Sequence, residues 1–177
     1  MCIRDSDYAA FTRRLSTALL ARGAEVHLVP HATSKSDPTD DDGRLADRLI
    51  QEFPAAIRVP EFAGPSEAKS YISGLDFLVA GRMHACIGAY SAGVPVVPVA
   101  YSRKFGGLFG MLEHQWMVPV TGMDADAAVA YVLAALDERD GIAAAQREGM
   151  KRIDAMLDVY RDELRRTFTA ALTGNGQ

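Results

Sequence analysis

The chain has 177 residues, a formal net charge of −4 and a hydrophobic share of 49%. This length suits one domain with a buried core, and the acidic balance argues against nucleic acid as a partner. No apolar run reaches the roughly 18 residues that a membrane helix needs, and no signal peptide is recognisable. The two cysteines, Cys2 and Cys86, form no disulfide or zinc spacing. We therefore expect a cytoplasmic protein that could also work at the inner face of the membrane.

The first third of the chain alternates helical and strand patterns. Residues 1–6 fit no element that follows and are interpreted as an artefactual leader. A helix is predicted over 7–22, because apolar residues recur at helical spacing until Gly23. The next predicted elements are a strand at 25–30, a polar loop at 31–43, a helix at 44–53, a strand at 57–59, and a helix that opens at Pro65 or Ser66 and ends at Gly74.

A strand–helix–strand unit at 75–105 forms the centre of the prediction. The apolar run 77–80 is typical of a buried parallel strand. A short helix begins near Met83 and ends at Gly93, and a second buried strand follows at 94–99. The helix is expected to bury Met83, Cys86, Ile87 and Tyr90, with Cys86 as a small hydrophobic residue.

The last third of the chain is mostly helical. Single-domain organisation over 7–172 is predicted. Its last elements are a helix at 104–112, a strand at 116–120, a helix at 124–137 capped by Asp124, a long helix at 142–172 that could be broken once, and a polar tail at 173–177.

Alternating strands and helices predict the fold class α/β, with a Rossmann-like, doubly wound parallel sheet. Such a sheet normally has a central strand before its first helix. The pattern opens on the helix at 7–22 instead. We therefore expect this chain to lack the first central strand and its natural sequence to extend further upstream.

Arg82 and His84 lie where the first strand of the central unit meets the following helix. Ligands bind at the carboxyl ends of parallel strands, and a helix amino end attracts anions. The arginine fork suits a carboxylate or a phosphate, although a structural ion pair, for example with Asp76, is the alternative. His84 could transfer a proton near neutral pH, although a lone histidine is often structural.

Further candidates follow the neighbouring strands. Tyr101 and Lys104 come after the strand at 94–99, where Lys104 could contact a phosphate or simply be solvated. Ser91, like the glycines of its helix, either leaves room for a ligand or allows close packing. His31 and the acidic run that contains Asp41 follow the strand at 25–30. An acid of this run could be catalytic or bind a sugar, or the run could remain a solvated loop. No ligand spacing indicates a metal site.

The central unit resembles the polysaccharide pyruvyl transferase family. The resemblance rests on Gly81-Arg82-Met83-His84-Ala85, on Gly93-Val94-Pro95, and on Tyr101-Ser102-Arg103-Lys104-Phe105, in that order. It extends over about 24–112 and includes Val29-Pro30-His31 more loosely.

The resemblance implies a GT-B-like enzyme with two Rossmann-like domains, of which this chain would be the carboxyl-terminal one. Such an enzyme transfers a pyruvyl group from phosphoenolpyruvate to a sugar hydroxyl of a cell-surface glycan or lipid-linked acceptor. No cofactor is implied beyond phosphoenolpyruvate as the donor substrate. Arg82 would bind its carboxylate or phosphate, His84 would donate a proton and Lys104 would help to hold the phosphate. The missing amino-terminal domain would be a partner, and the isolated chain could be inactive.

Two other classes of protein remain open. One is the donor domain of a nucleotide-sugar glycosyltransferase or epimerase of the same topology. Against it, Ser91 and Ala92 stand where an acid that holds the ribose would be expected. The other is a non-catalytic α/β domain that binds an anion or a partner.

Overall fold

The computed structural model describes residues 5–33, 41–100, 103–119 and 122–174. Short parallel strands alternate with helices in this part of the chain, which confirms the α/β class. The elements are α1 (Asp5–Ala21), β1 (His27–Leu28), α2 (Asp42–Glu52), β2 (Ile57–Arg58), α3 (Pro65–Ile72), β3 (Leu78–Ala80), α4 (Met83–Ala92), β4 (Val96–Pro98), α5 (Arg103–Met111), α6 (Ala125–Asp137) and α7 (Arg139–Gly174).

The described strands form two parallel pairs. β1 pairs with β2, with His27 opposite Ile57, and β3 pairs with β4, with Val79 opposite Val97. The parallel direction agrees with the predicted βαβ units, but the single sheet of the prediction is replaced by two short ones in the described residues. Parallel pairing places the carboxyl ends of paired strands at the same edge.

The β3–α4–β4 unit forms as the sequence predicts. Gly93 ends α4 in the left-handed conformation, at φ 78°, which a residue without a Cβ adopts at little cost. Cys86 is buried and its thiol donates to the carbonyl of Ala80, so it is the small buried residue that was expected. Ile87, however, is 40% exposed, and Ala85 and Ala89 share the buried face of α4 instead.

Two hydrophobic clusters cover β3 and β4 from opposite sides. One joins α4 and α5 through Tyr90, Phe105 and Phe109. The other joins α1 and α6 through Phe11 and Val132. The β3–β4 pair is therefore the middle layer of a helix–sheet–helix sandwich.

The predicted strand at 116–120 is reduced, in its described part, to one isolated parallel bridge between Val118 and Val99. The predicted strands at 25–30 and 57–59 are also longer than β1 and β2. Hydrophobic alternation marks the buried residues but not how far a neighbouring strand runs beside them, and this explains the shorter strands.

The other boundaries shift by a few residues. α1 begins at Asp5, two residues before the prediction, and α2 begins at Asp42, inside the predicted loop. Asp124 caps α6 through a 2.8 Å hydrogen bond from the amide of Ala127, as expected. α5 forms despite its three glycines.

The last element, α7, is one unbroken helix of 36 residues, longer at both ends than the prediction of 142–172. Its first half packs against the body of the domain through Ile142 and Gln146. From residue 151 to 170 every side chain is exposed except that of the half-buried Ile153. None of the helices in the described ranges is both long enough and apolar enough to cross a membrane.

Candidate anion-binding site at the strand ends

The carboxyl ends of β1 and β3 are joined by an ion pair between Arg82 and Asp42. Arg82 Nη2 lies 2.9 Å from Asp42 Oδ1, and Arg82 Nε lies 3.2 Å from each of the two carboxylate oxygens. Both side chains are partly exposed, at 32% for Arg82 and 21% for Asp42. Arg82 is therefore paired with a structural acid, which was the alternative interpretation of this arginine. The acid, Asp42, comes from the run predicted as a loop.

Asp42 is also held by the loop that follows β1. Its Oδ2 accepts hydrogen bonds from the backbone amides of Ala32, at 2.8 Å, and His31, at 3.2 Å. The amide of Asp42 in turn donates to the carbonyl of Ala32 at 2.9 Å. The same carboxylate therefore links the end of β1 to the end of β3.

Asp41, the acid proposed to contact substrate, caps α2. Its Oδ1 accepts from the amides of Gly43, at 3.0 Å, and Arg44, at 3.4 Å. Its Oδ2 lies 3.2 Å from the guanidinium Nε of Arg44. These contacts satisfy the first amides of the helix, and a role for Asp41 in substrate binding stays a prediction.

His84 lies in the first turn of α4, next to Arg82, and its side chain is exposed. Arg82 is itself the residue that precedes the helix, and it makes no side-chain cap of the first amides. The amino end of α4 carries partial positive charge. An anion close to Arg82 would therefore lie within reach of an accessible imidazole.

His31 is half-buried, and its Nδ1 is fully shielded without a hydrogen-bond partner. Burial lowers the pKa of His31, the neighbouring His84 and Arg82 lower it further, and the Asp42 carboxylate opposes them. The imidazole of His31 is therefore neutral at neutral pH. Because Asp42, His84 and Arg82 all affect the pKa of His31, these four side chains form one electrostatic cluster. Three of them, His31, Arg82 and His84, were expected in the site.

The remaining site residues lie in different places. Lys104 lies in the first turn of α5, exposed, beyond the carboxyl end of β4 and so at the same edge as Arg82. Ser91 lies eight residues along α4 from Met83, about 12 Å by the rise of a helix. Its hydroxyl donates to the carbonyl of Gly88, so the structure does not bring it to the Arg82 cluster. Tyr101 lies outside the described residues.

Tyr8 is a neighbour of the site that the sequence did not single out. A Cβ at Gly81 would lie 3.2 Å from its hydroxyl oxygen, so glycine allows α1 to approach the end of β3. Burial, and next the Asp42 charge, raise the pKa of Tyr8, while Arg82 lowers it. In the sequence, Tyr8 is one residue of an apolar helical stripe, and its spacing does not distinguish it from Phe11. Asp42 could have been identified as a site residue only with the knowledge that β1 and β3 end side by side.

The described residues contain no group of three or more histidine, cysteine, aspartate or glutamate side chains that could hold a metal ion. The cluster is instead a set of one guanidinium, two imidazoles and a structural carboxylate at two helix amino ends. Such a set can bind an anion and transfer a proton.

The family model of polysaccharide pyruvyl transferase matches residues 2–103, which is more than half of the chain. The match contains every residue of the Arg82 cluster, and it ends one residue before Lys104. No curated protein and no solved structure is similar enough to the chain to count as a match.

Proposed function

The chain belongs to the polysaccharide pyruvyl transferase family, and from this membership we propose that it transfers a pyruvyl group from phosphoenolpyruvate to a sugar hydroxyl of a cell-surface polysaccharide. The observation that carries the proposal is the oriented Arg82 guanidinium beside the exposed His84, at the amino end of α4. Phosphoenolpyruvate carries a carboxylate and a phosphate, so it needs such a cationic site. The proposed fold is a Rossmann-like domain of a GT-B-like enzyme, in which a second domain holds the acceptor.

In the proposed reaction, Arg82 binds the carboxylate or the phosphate of phosphoenolpyruvate. Lys104, at the amino end of α5, adds a positive charge for the phosphate. His31, Asp41 and Tyr101 are kept as proposed substrate contacts near Arg82. Ser91, about 12 Å along α4, is kept only as a proposed contact to a more distant part of the acceptor. No cofactor is proposed, and phosphoenolpyruvate is the donor.

The first chemical step adds the acceptor hydroxyl to the donor. His84 gives a proton to the methylene carbon, the acceptor oxygen bonds to the central carbon, and the hydroxyl proton is released to a base. Phosphate then leaves with its bonding electrons, and a cationic carbon remains. A second hydroxyl of the sugar adds to this carbon and loses its proton, which closes a ketal. His84 is suited to the first proton transfer because it is exposed.

Ligand binding separates this proposal from its alternatives. Phosphoenolpyruvate should raise the melting temperature of the chain, and nucleotide sugars should not. Stabilisation by nucleotide sugars alone would favour a glycosyltransferase or epimerase donor domain. Stabilisation by neither ligand would favour a non-catalytic domain.

Two variants of the active enzyme test the roles of the residues. His84→Gln keeps size and polarity but cannot transfer a proton, so turnover should fall at least about a hundredfold while phosphoenolpyruvate still binds. Arg82→Lys should mainly weaken phosphoenolpyruvate binding, because a point charge replaces a planar fork. If His84→Gln retains turnover within a few fold of the parent, His84 is not the proton donor.

A further inference from the structure

Among the described residues of the site, Asp42 is the carboxylate with the most hydrogen bonds. Oδ1 accepts from Arg82, and Oδ2 accepts from the backbone amides of His31 and Ala32. Arg82 Nε lies between the two oxygens, at 3.2 Å from each. Every partner is a donor, so an ionised carboxylate, which only accepts, fits this position.

The support of Asp42 does not depend on Arg82. Asp42 is the first residue of α2, where a negative charge is favoured, and two backbone amides of the preceding loop fix its Oδ2. An acid that merely occupied an empty anion site would be held by the arginine alone. Asp42 is instead a fixed group against which the long Arg82 side chain is oriented.

We propose that Asp42 is a positioning residue, which orients the Arg82 guanidinium toward a bound carboxylate or phosphate and keeps the His31 loop beside it. This inference rests on the proposed function, since it assigns Arg82 an anionic ligand. A free arginine loses side-chain entropy when it binds a ligand. Because Asp42 orders the Arg82 side chain before the ligand arrives, less side-chain entropy is lost when the ligand binds.

The substitution Asp42→Asn tests the inference with almost no change of shape. An asparagine has one acceptor oxygen and a donor amide. It can satisfy the amides of His31 and Ala32 or it can satisfy Arg82, but not both. The loss of the negative charge should favour a nearby anion, whereas the loss of orientation should disfavour it. The inference states that orientation dominates.

The experiment measures binding of inorganic phosphate and of phosphoenolpyruvate to this chain, separately, by isothermal titration calorimetry. Asp42→Asn should weaken both at least about tenfold. The matched control is Asp47→Asn, on the same helix, which removes an exposed acid that pairs with Arg58 at 2.9 Å. This control should change affinity by no more than about twofold.

A double-variant cycle shows whether Asp42 acts through Arg82. Once Arg82→Gln has removed the guanidinium, adding Asp42→Asn should weaken binding no further. Asp42→Glu keeps the carboxylate but displaces it by one methylene, and it should also weaken binding. It replaces Asp42→Asn if that variant fails to fold. The NMR signal of Arg82 Nε–H should move in both Asp42 variants and stay in place in Asp47→Asn.

The outcomes separate this inference from the proposed function. Anion binding that is unchanged or tighter in Asp42→Asn would overturn the positioning role, even if phosphoenolpyruvate binds the parent well. If phosphate binding depends on Asp42 while phosphoenolpyruvate binds no tighter than phosphate, the positioning role stands and the proposed donor is wrong. If the parent binds neither anion, both are overturned.

Discussion

The β3–α4–β4 half of the molecule shields its strands on both faces, whereas the β1–α2–β2 half shields them on one. Val96 and Val97 point to opposite faces of β4 and are both 0% exposed. In the other half Leu28 is buried, but His27 is half-buried and Ile57 is 39% exposed. The β1–α2–β2 half also has the smaller hydrophobic cluster, built around Leu49.

This difference matters because the candidate site takes residues from both halves. Arg82 and His84 come from the well-packed half, and Asp42 and His31 come from the less packed one. Regions with few buried contacts open at lower free energy than the core. We therefore expect the site to come apart by local opening of the β1–α2–β2 half while the β3–β4 core stays folded.

Large-to-small substitutions in the two clusters should give the largest contrast. Phe109→Ala should lower the free energy of unfolding by about 3–5 kcal/mol, because Phe109 is fully buried between Tyr90 and Phe105. Leu49→Ala should cost less, toward about 2 kcal/mol, since its cluster is smaller and can collapse. Urea unfolding measures both.

The control for Phe109→Ala is Met111→Ala, on the same helix but 70% exposed, which should change stability little. Hydrogen exchange adds a second measure. Leu49→Ala should accelerate exchange mainly in β1 and β2, and Phe109→Ala should accelerate it everywhere. Equal acceleration by Leu49→Ala throughout the chain would mean that the two halves open as one unit.

Gly149 should give the next largest effect, because it brings α7 against α4. A Cβ at this position would overlap with the hydroxyl oxygen of Tyr90. Gly149→Ala should therefore destabilise the protein by about 1–3 kcal/mol, although alanine favours a helix. Thermal unfolding measures the loss.

Gly141 provides the matched control on the same helix. A Cβ there meets no atom within 4 Å, so Gly141→Ala should stabilise the protein by up to about 1 kcal/mol. Combining Gly149→Ala with Tyr90→Phe removes the closest atom and should recover part of the loss. A stabilising Gly149→Ala would show that α7 and α4 are further apart than this structure places them.

Thiol labelling should reveal the difference between the halves on a smaller scale. Cys86 is buried, and burial raises the pKa of its thiol to about 12. It should therefore react only when the β3–β4 core opens. A cysteine placed at Ala46, buried in α2, should react at least about tenfold faster, which corresponds to about 1.4 kcal/mol in opening free energy.

Both labelling experiments use the Cys2→Ser background, and the Ala46→Cys chain also carries Cys86→Ala, so that each has one thiol. Urea titration then shows whether the two variants differ in global stability. If the two thiols react at the same rate at equal global stability, local opening of the β1–α2–β2 half is excluded.

The well-packed half was also the half that the sequence predicted best. Its strands read as continuous apolar runs, and Gly93 marks the end of α4, so local pattern and final structure agree. The less packed half gave little local signal, because short, half-exposed strands have no distinctive periodicity.

The candidate site shows more clearly which features the sequence alone could not predict. Arg82 and His84 could be found because they share one strand–helix junction. The partner of Arg82 could not, since Asp42 lies 40 residues away and becomes its neighbour only through the fold. Asp41 and Asp42 look equivalent in the acidic run, yet one caps a helix and the other orients an arginine.

The smallest expected effect is a pH dependence that each half contributes through one histidine. Burial lowers the pKa of both His114, whose Nε2 lies 2.9 Å from the Val96 carbonyl oxygen, and His31. The unfolded chain, with histidine near its ordinary value of about 6.5, then binds more protons than the folded chain below that pH. The stability that these histidines contribute is therefore fully present above about pH 6.5 and declines as the pH falls toward their lowered pKa values in the folded chain.

Urea unfolding between about pH 7 and pH 5 should show this decline, and His114→Gln and His31→Gln should each flatten it. Hydrogen exchange then assigns the two contributions: that of His114 should appear in the amides of the β3–β4 core, and that of His31 only in the opening of the β1–α2–β2 half. A parent whose stability does not change over this range, or a His114→Gln variant that declines as steeply as the parent, would contradict the role of buried neutral imidazoles.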